Sequence, residues 1–109
     1  MVIVRITLNV LPEKRLEFTQ TLLSMIDPVR KETGCLAYTV FSTIENKNHF
    51  SLLEEWQTRE DLDHHIKSHR FGVLLGLKSL LFEPLKIQIV TVSTIEGIEA
   101  INRARIKKG

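Results

Sequence analysis

The order of hydrophobic and polar positions predicts that strands and helices alternate along the chain. The segment Val2–Val10 is rich in β-branched residues and predicts a first strand. From Glu13 to about Glu32, apolar residues recur at the spacing of a helix, and Gly34 is typical of the left-handed residue that closes one. Pro28 lies inside this segment, which predicts a kink or a separate last turn.

Three further strands are predicted after this helix. Two segments rich in strand-forming residues, Cys35–Ile44 and Phe50–Trp56, flank a polar turn at residues 45–48 and predict a hairpin. The segment Leu85–Val92 predicts the last strand, because it follows a proline and is again rich in β-branched residues.

An interrupted helix is predicted between the hairpin and the last strand. Thr58 is followed three residues later by an acid, which resembles a capping box, so a helix is expected to start near residue 59. Ser68 is a good cap for a second helical piece, which continues until Glu83-Pro84 stops it.

The end of the chain predicts one more helix. Ser93 and Glu96 form a capping-box pair, so a helix is expected from residue 94 to about residue 107. We therefore divide the chain into a domain at residues 1–93 and a C-terminal helical extension at residues 94–109. The extension is expected to pack across a partner or against the sheet edge through three isoleucines, Ile95, Ile98 and Ile101.

Four strands and two crossover helices in this order predict an α+β fold. Its core is a split βαβ unit with an antiparallel four-stranded sheet and both helices on one face. The strands nevertheless carry apolar residues on both sides, as where Ile3 lies between Val2 and Val4. Because an apolar sheet face must be buried, a homodimer that pairs through the open face is expected.

Size and cysteine content limit the class of protein. The chain has 109 residues, of which 43% are hydrophobic and 26% charged, as expected of one globular domain. A core of this size is stable without disulfides or a structural metal. The one cysteine, Cys35, cannot form an internal bridge, so we expect a reducing, cytoplasmic environment.

The charge of the chain is concentrated at its end. Residues 101–109 hold four of the fifteen basic residues and no acid, which leaves eleven basic and thirteen acidic residues, a net charge of −2, in residues 1–100. A nucleic-acid surface would need a basic stripe across the folded body, so no nucleic-acid partner is expected. No apolar run approaches a membrane span and the N-terminus lacks a signal-peptide layout, so no membrane partner is expected either.

The densest group of chemically active side chains lies in the segment 50–71. Glu54 and Trp56 share one face of the predicted strand, because side chains alternate along a strand. Leu62 and His65 share one side of the following helix. If that side packs on the strand face that carries Trp56, the imidazole, the indole and the carboxylate converge on one cavity.

Several motifs together resemble a known family. They are the helix exit Arg30–Leu36 with Tyr38, the F-x-L-x-E-x-W strand Phe50–Trp56, the L-x-x-H of Leu62 and His65, and then Ser68 and Phe71. Over about residues 2–92 this pattern resembles the antibiotic biosynthesis monooxygenase family, a branch of the dimeric α+β barrel superfamily. The resemblance implies a ferredoxin-like subunit that pairs sheet to sheet and has a pocket between its helices and its sheet.

The resemblance also implies roles for particular residues. His65 matches the pocket histidine of the family, Trp56 its pocket aromatic residue and Glu54 its strand carboxylate, and Leu62 and Phe71 join them as candidate substrate-binding residues. Members include cofactor-independent oxygenases of phenolic or quinol-type aromatics, haem-degrading enzymes, isomerases of small metabolites and proteins without a known activity. Haem-degrading relatives carry an asparagine in the first half of the first strand. Asn9 lies too late in this strand, so the haem role is not carried over.

The chemistry of these side chains suits an oxygenase that needs no cofactor and no metal. Such an enzyme first ionises its substrate, because an electron-rich anion reduces dioxygen where the neutral phenol does not. Histidine has an unperturbed pKa of about 6.5 and takes such a proton near neutral pH, so His65 is the candidate catalytic base. Trp56 would be an apolar wall for a small aromatic molecule. Asp61 lies one turn before His65 and is placed either to orient its ring or to be a solvated acid at the helix start.

Each candidate also has a purely structural interpretation. Trp56 and His65 can be packed core residues, and buried Glu54 can form an ion pair with Arg5 on the first strand. His69 lies one turn beyond His65, which suggests metal binding from one helix, but Ser68 is expected to break that helix between them.

Three functions remain open at this point. The leading hypothesis is a cofactor-independent monooxygenase of a small phenol or quinol. A non-catalytic module that binds or senses a small apolar ligand is the second, and an isomerase that uses His65 for proton transfer is the third.

Overall fold

The computed structural model describes residues 1–106, so residues 107–109, which include the end of the predicted C-terminal helix, lie outside the described part. The sheet within the described residues has four strands: β1 (Val2–Asn9), β2 (Cys35–Thr43), β3 (Asn46–Trp56) and β4 (Lys86–Thr91). The strands are antiparallel to their neighbours in the order β2-β3-β1-β4. The predicted split βαβ fold is therefore confirmed.

The helices of the described residues are shorter than predicted. They are α1 (Arg15–Arg30), α2 (Arg59–Ile66), α3 (His69–Gly76) and α4 (Ile98–Ile106). A short 3-10 turn at Pro12–Lys14 precedes α1, and another at Leu77–Leu80 follows α3. The second helical piece thus ends at residue 76 rather than near residue 82, because its last residues tighten into a 3-10 turn.

Side-chain caps begin α2 and α3, as predicted. Thr58 Oγ1 accepts a hydrogen bond of 3.1 Å from the backbone N–H of Asp61. Ser68 Oγ accepts one of 3.2 Å from the backbone N–H of Phe71. Each cap satisfies a backbone donor that has no partner inside its helix. The predicted break at Ser68 is confirmed, and it separates the helix that carries His65 from α3.

The end of α1 agrees with one prediction and contradicts another. The helix runs through Pro28 and ends at Arg30, so the predicted split of its last turn is wrong, and a kink at Pro28 stays a prediction. Pro28 stands in the last turn, so its missing N–H removes one backbone hydrogen bond close to the end of the helix. Gly34 has the predicted left-handed conformation, with φ of 78°. A Cβ atom at this position would also collide with the Asp61 carboxylate, so both conformation and space require glycine.

The hairpin turns earlier than predicted. The turn is at residues 44–45 and β3 begins at Asn46, so of the polar residues predicted to form the turn only Glu45 does so and residues 46–48 lie in the strand. This register places Cys35 opposite Trp56, at the end of the hairpin that meets the exit of α1. The backbone N–H of Gln57 donates to the carbonyl of Gly34 at 2.8 Å. The residues just after α1 are therefore fixed beside Trp56.

The C-terminal helix begins four residues later than predicted, at Ile98. The Glu96 side chain pairs with Arg103 at 2.9 Å instead of folding back on Ser93, and Glu99 accepts from the backbone N–H of Gly97 at 2.8 Å. Three predicted contact residues are 72%, 70% and 55% exposed, namely Ile95, Ile98 and Ile101. Their predicted packing against the chain's own sheet edge is wrong, and their packing against a partner stays a prediction.

The two faces of the sheet differ in burial. Even-numbered residues of β1 lie under α1 to α3 and are at most 4% exposed, from Val2 to Leu8. The opposite face is uncovered and mixes apolar and polar residues, and its apolar members include Ile3, Leu53, Phe41 and Val90. The candidate site therefore lies in the helix-covered layer. Within residues 1–106, no helix has the length and apolar character needed to span a membrane.

Candidate active site

An indole and an imidazole stack on each other between the sheet and α2. The ring centroids of Trp56 and His65 are 4.6 Å apart, with an angle of 27° between the ring planes. Trp56 is 0% and His65 1% exposed, and Leu62 on the same side of α2 is also fully buried. The Thr58 cap fixes the start of α2, so the Leu62 and His65 side chains face the end of β3.

Glu54 joins the two rings from the sheet. Its side chain lies on the same face of β3 as Trp56 and has no exposed surface. The indole N–H of Trp56 donates to Glu54 Oε1 at 2.9 Å, and His65 Nε2 lies 3.6 Å from the same oxygen. Burial raises the pKa of Glu54, and the nearby Glu32 carboxylate adds to this increase, while the Trp56 hydrogen bond and His65 oppose it. Glu54 therefore holds its proton to a higher pH than an exposed glutamate does.

The other nitrogen of the imidazole contacts a carboxylate that the sequence did not indicate. His65 Nδ1 lies 2.9 Å from Glu32 Oε1, in the turn that follows α1. Glu32 Oε2 lies 3.7 Å from Arg70 Nη1. The predicted orienting residue, Asp61, instead packs its carboxylate against Gly34. Orientation of His65 by Asp61 is therefore wrong, because the helix-start acid turns toward the α1 exit.

The predicted ion pair between Glu54 and Arg5 is also wrong. Val4, not Arg5, is the β1 residue paired with Glu54. Arg5 thus lies on the open face of the sheet, where its guanidinium donates to Gln88 Oε1 at 2.6 Å. A difference of one position along a strand reverses the face, so the two charges are on opposite sides of the sheet.

Aromatic side chains close the space around His65. Phe71 at the start of α3 meets the imidazole edge to face at 5.5 Å, and Tyr38 of β2 does so at 6.3 Å. Burial also raises the pKa of Tyr38. The ring face of Trp56 that was expected to receive a substrate is occupied by His65. The predicted open cavity is thus closed in this conformation, because Trp56 has no exposed surface and His65 is only 1% exposed.

Some buried polar atoms of this site have no hydrogen-bond partner among the described residues. They are His65 Nε2, Glu54 Oε2 and Glu32 Oε2. Buried polar groups in proteins are almost always satisfied, and an exception often marks a place that a ligand or water fills. His65 Nε2 and Glu54 Oε2 thus form a small polar site enclosed by aromatic rings.

The metal hypothesis finds no support in the geometry. His69 is exposed and begins α3, beyond the Ser68 break, so it does not continue the helical side that carries His65. The described residues contain no group of three or more histidine, cysteine, aspartate or glutamate side chains that could hold a metal ion.

The contacts define what the site can do with a proton. A carboxylate only accepts hydrogen bonds, so the Glu32 contact favours the imidazole tautomer with a proton on Nδ1. The lone pair of His65 is then on Nε2, which points toward Glu54. A histidine held in this way by a carboxylate on one nitrogen is the arrangement of a general base.

Fold and site together define a small split βαβ protein with a histidine, a tryptophan and two carboxylates enclosed between helices and sheet. The family model described as Antibiotic biosynthesis monooxygenase matches residues 1–74 of the chain. The chain belongs to this family, and the resemblance stated from its motifs is confirmed.

Relatives from distant organisms support the assignment. The Bacillus subtilis protein YcnE is 31% identical over 88 residues, which are 80% of this chain and 93% of its own. Its name describes it as a monooxygenase whose activity is unproven. A solved structure from Methanosarcina mazei is 36% identical, with a TM-score of 0.76 over 82% of this chain and 89% of its own. A Deinococcus radiodurans structure assigned to the same family is 27% identical, with a TM-score of 0.82 over 90% and 98% of the two chains.

Proposed function

We propose that this protein is a cofactor-independent monooxygenase of small, electron-rich phenols or quinols, with His65 as its catalytic base. The observation that carries the proposal is the orientation of His65, whose Nδ1 meets Glu32 at 2.9 Å while Nε2 faces inward without a partner among the described residues. Membership in the family supports oxygenase chemistry. The free thiol of Cys35 agrees with action in the cytoplasm.

The reaction balances without an external reductant. His65 Nε2 takes the phenolic proton, and the phenolate transfers an electron to dioxygen. The two radicals combine to a peroxide on the ring, which loses water as its carbon becomes a carbonyl. A naphthol and one dioxygen thus give a naphthoquinone and one water, and the proton taken by His65 leaves in that water. All four electrons come from the ring.

Substrate entry requires a change in the aromatic wall. Phe71, at the start of α3, is 7% exposed and is the most exposed of the aromatic residues around His65. This helix has eight residues and includes Gly72 and Gly76, which lower its intrinsic stability. We propose that α3 shifts about the Ser68 break, so that Phe71 moves away from the imidazole and a substrate ring enters beside His65 and Trp56. Glu54 and Leu62 then line the substrate position with Phe71.

Oxygen uptake with naphthols and quinols tests the proposal. We expect dioxygen consumption by the wild-type protein and a decrease in kcat of about 10²–10⁴-fold in His65→Ala, the range for loss of a general base. His64→Ala is the matched control, because His64 is the exposed neighbour in α2. Activity that survives His65→Ala would exclude His65 as the base. Tight ligand binding without turnover would instead indicate a binding module, and isomerisation without oxygen uptake an isomerase.

The active form is proposed to be a homodimer that pairs through the open sheet face, with α4 packed on the partner. Apolar side chains on that face and four isoleucines between residues 95 and 106 are exposed in the single chain. An isologous dimer buries the same surface on both copies.

Sedimentation analysis at micromolar concentration tests the dimer. We expect the wild-type protein to be a dimer and Ile3→Lys to be a monomer, because a charge would replace an apolar side chain of the open face beside Val90. Ile44→Lys at the hairpin tip is the control, since Ile44 is 101% exposed. Removal of residues 94–109 should weaken the dimer, and unchanged association would exclude the role of α4. A stable wild-type monomer would contradict the dimer itself.

A further inference from the structure

We infer that Glu32 is the positioning residue of His65, and this inference rests on the proposed function because it assigns a role in the same site. Glu32 comes from the turn after α1, while His65 comes from α2, so the contact joins two elements that the fold brings together. The distance of 2.9 Å between Glu32 Oε1 and His65 Nδ1 is that of a direct hydrogen bond.

The burial of the pair makes this contact decisive for the tautomer. The His65 side chain is 2% exposed and that of Glu32 13% exposed, so Nδ1 has no access to bulk water. A buried N–H without an acceptor loses the hydrogen bond that water would give it and is unfavourable. The proton of a neutral imidazole therefore resides on Nδ1, where the carboxylate accepts it. The lone pair then points to the interior, where a substrate hydroxyl would be.

Glu32 also supplies charge where the reaction needs it. When His65 takes a proton, its ring becomes an imidazolium inside a low-dielectric layer, where an adjacent carboxylate is most effective. The other oxygen of Glu32 lies 3.7 Å from Arg70 Nη1, and both residues line a surface cleft of about 420 Å³. Besides His65, ionisable groups of α1 and the residue after it, of β2, β3 and α3 surround Glu32. They are Asp27, Lys31, Cys35, Tyr38, Glu54 and Arg70.

Long-range ¹H–¹⁵N NMR of the histidine rings tests the inference without turnover. We expect wild-type His65 to carry its proton on Nδ1. In Glu32→Ala the proton should move to Nε2, which lies 3.6 Å from Glu54 Oε1. Asp27→Ala is the matched control, because Asp27 lines the same cleft but does not contact His65. A wild-type proton on Nε2, or one that stays on Nδ1 in Glu32→Ala, would overturn the inference.

A second variant covers the case in which Glu32→Ala does not fold. Glu32→Gln keeps an acceptor oxygen and the shape of the side chain, so the proton should stay on Nδ1 while its resonance moves upfield, because a neutral acceptor makes a weaker hydrogen bond. An unshifted resonance would count against the inference. In oxygen uptake we expect kcat to fall by about 10²-fold or more in Glu32→Ala and by less in Glu32→Gln, with KM changed little. Absence of wild-type turnover with the expected tautomers would refute the proposed function and leave the positioning role intact.

Discussion

Replacement of Trp56 by alanine is expected to lower the free energy of unfolding by about 3–5 kcal/mol, the range for a large aromatic residue removed from a core. Trp56 is the largest side chain with no exposed surface, and its ring stacks on His65. Its removal leaves a cavity beside the imidazole and takes from Glu54 Oε1 its hydrogen-bond donor. Urea denaturation followed by far-ultraviolet circular dichroism measures the change without relying on tryptophan fluorescence.

Trp56→Phe separates the two parts of this effect. Phenylalanine keeps a ring against His65 but lacks the N–H that donates to Glu54, so we expect a loss of about 1–3 kcal/mol from the unsatisfied buried oxygen. The double variant Trp56→Phe with Glu54→Leu removes both polar partners and should recover part of that loss. A decrease below 1 kcal/mol for Trp56→Ala would contradict the buried stack.

The fold could be predicted because its signals are local. Thr58 and Ser68 cap helices through their own side chains, and Gly34 adopts a left-handed conformation that few other residues accept. The start of the C-terminal helix was predicted wrongly from a local signal of the same kind. Ser93 and Glu96 match a capping pattern, but Glu96 has a competing partner in Arg103, seven residues away. A short motif cannot exclude such a partner.

The positions of the site residues were predictable only where a single strand or helix determines which side chains share a face. Glu54 and Trp56 share a face because a strand alternates, and the Leu62 and His65 pair follows from helical spacing. The partner of Glu54 required the register between β1 and β3, where Val4 rather than Arg5 lies opposite. Val4 and Arg5 are neighbours in β1, and the sequence of one strand does not show which of the two lies opposite Glu54.

Glu32 was missed because three separate features place it. It follows the last turn of α1, and its position depends on the conformation of Gly34 and on the hairpin register that sets Cys35 opposite Trp56. The turn predicted at residues 45–48 would shift that register and move the α1 exit away from the tryptophan. A signal was present all the same, because Glu32 lies two residues before the helix-closing Gly34 and three before the start of β2.

Replacement of Glu54 by glutamine is expected to stabilise the protein at neutral pH, by an amount that depends on pH. Burial is the main cause of the raised pKa of Glu54. The unfolded chain therefore releases this proton near pH 4.5, while the folded chain retains it to higher pH. Below pH 4.5 the wild-type protein has the full contribution of the neutral carboxyl. As pH rises from there through the folded pKa, that contribution is lost.

Glutamine does not titrate, so the advantage of Glu54→Gln should grow as pH rises above 4.5 and then level off. We expect a total of about 1–3 kcal/mol, the range that mutational data give for burying a polar group without compensation. The amide oxygen still accepts from Trp56, and the amide N–H₂ can donate to His65 Nε2. Urea denaturation from pH 4 to pH 8 measures the difference, with Glu55→Gln on the opposite face of β3 as the control for loss of one charge. A variant that is less stable than wild type throughout this range would mean that the carboxylate is the favoured buried form, held by His65 as an imidazolium.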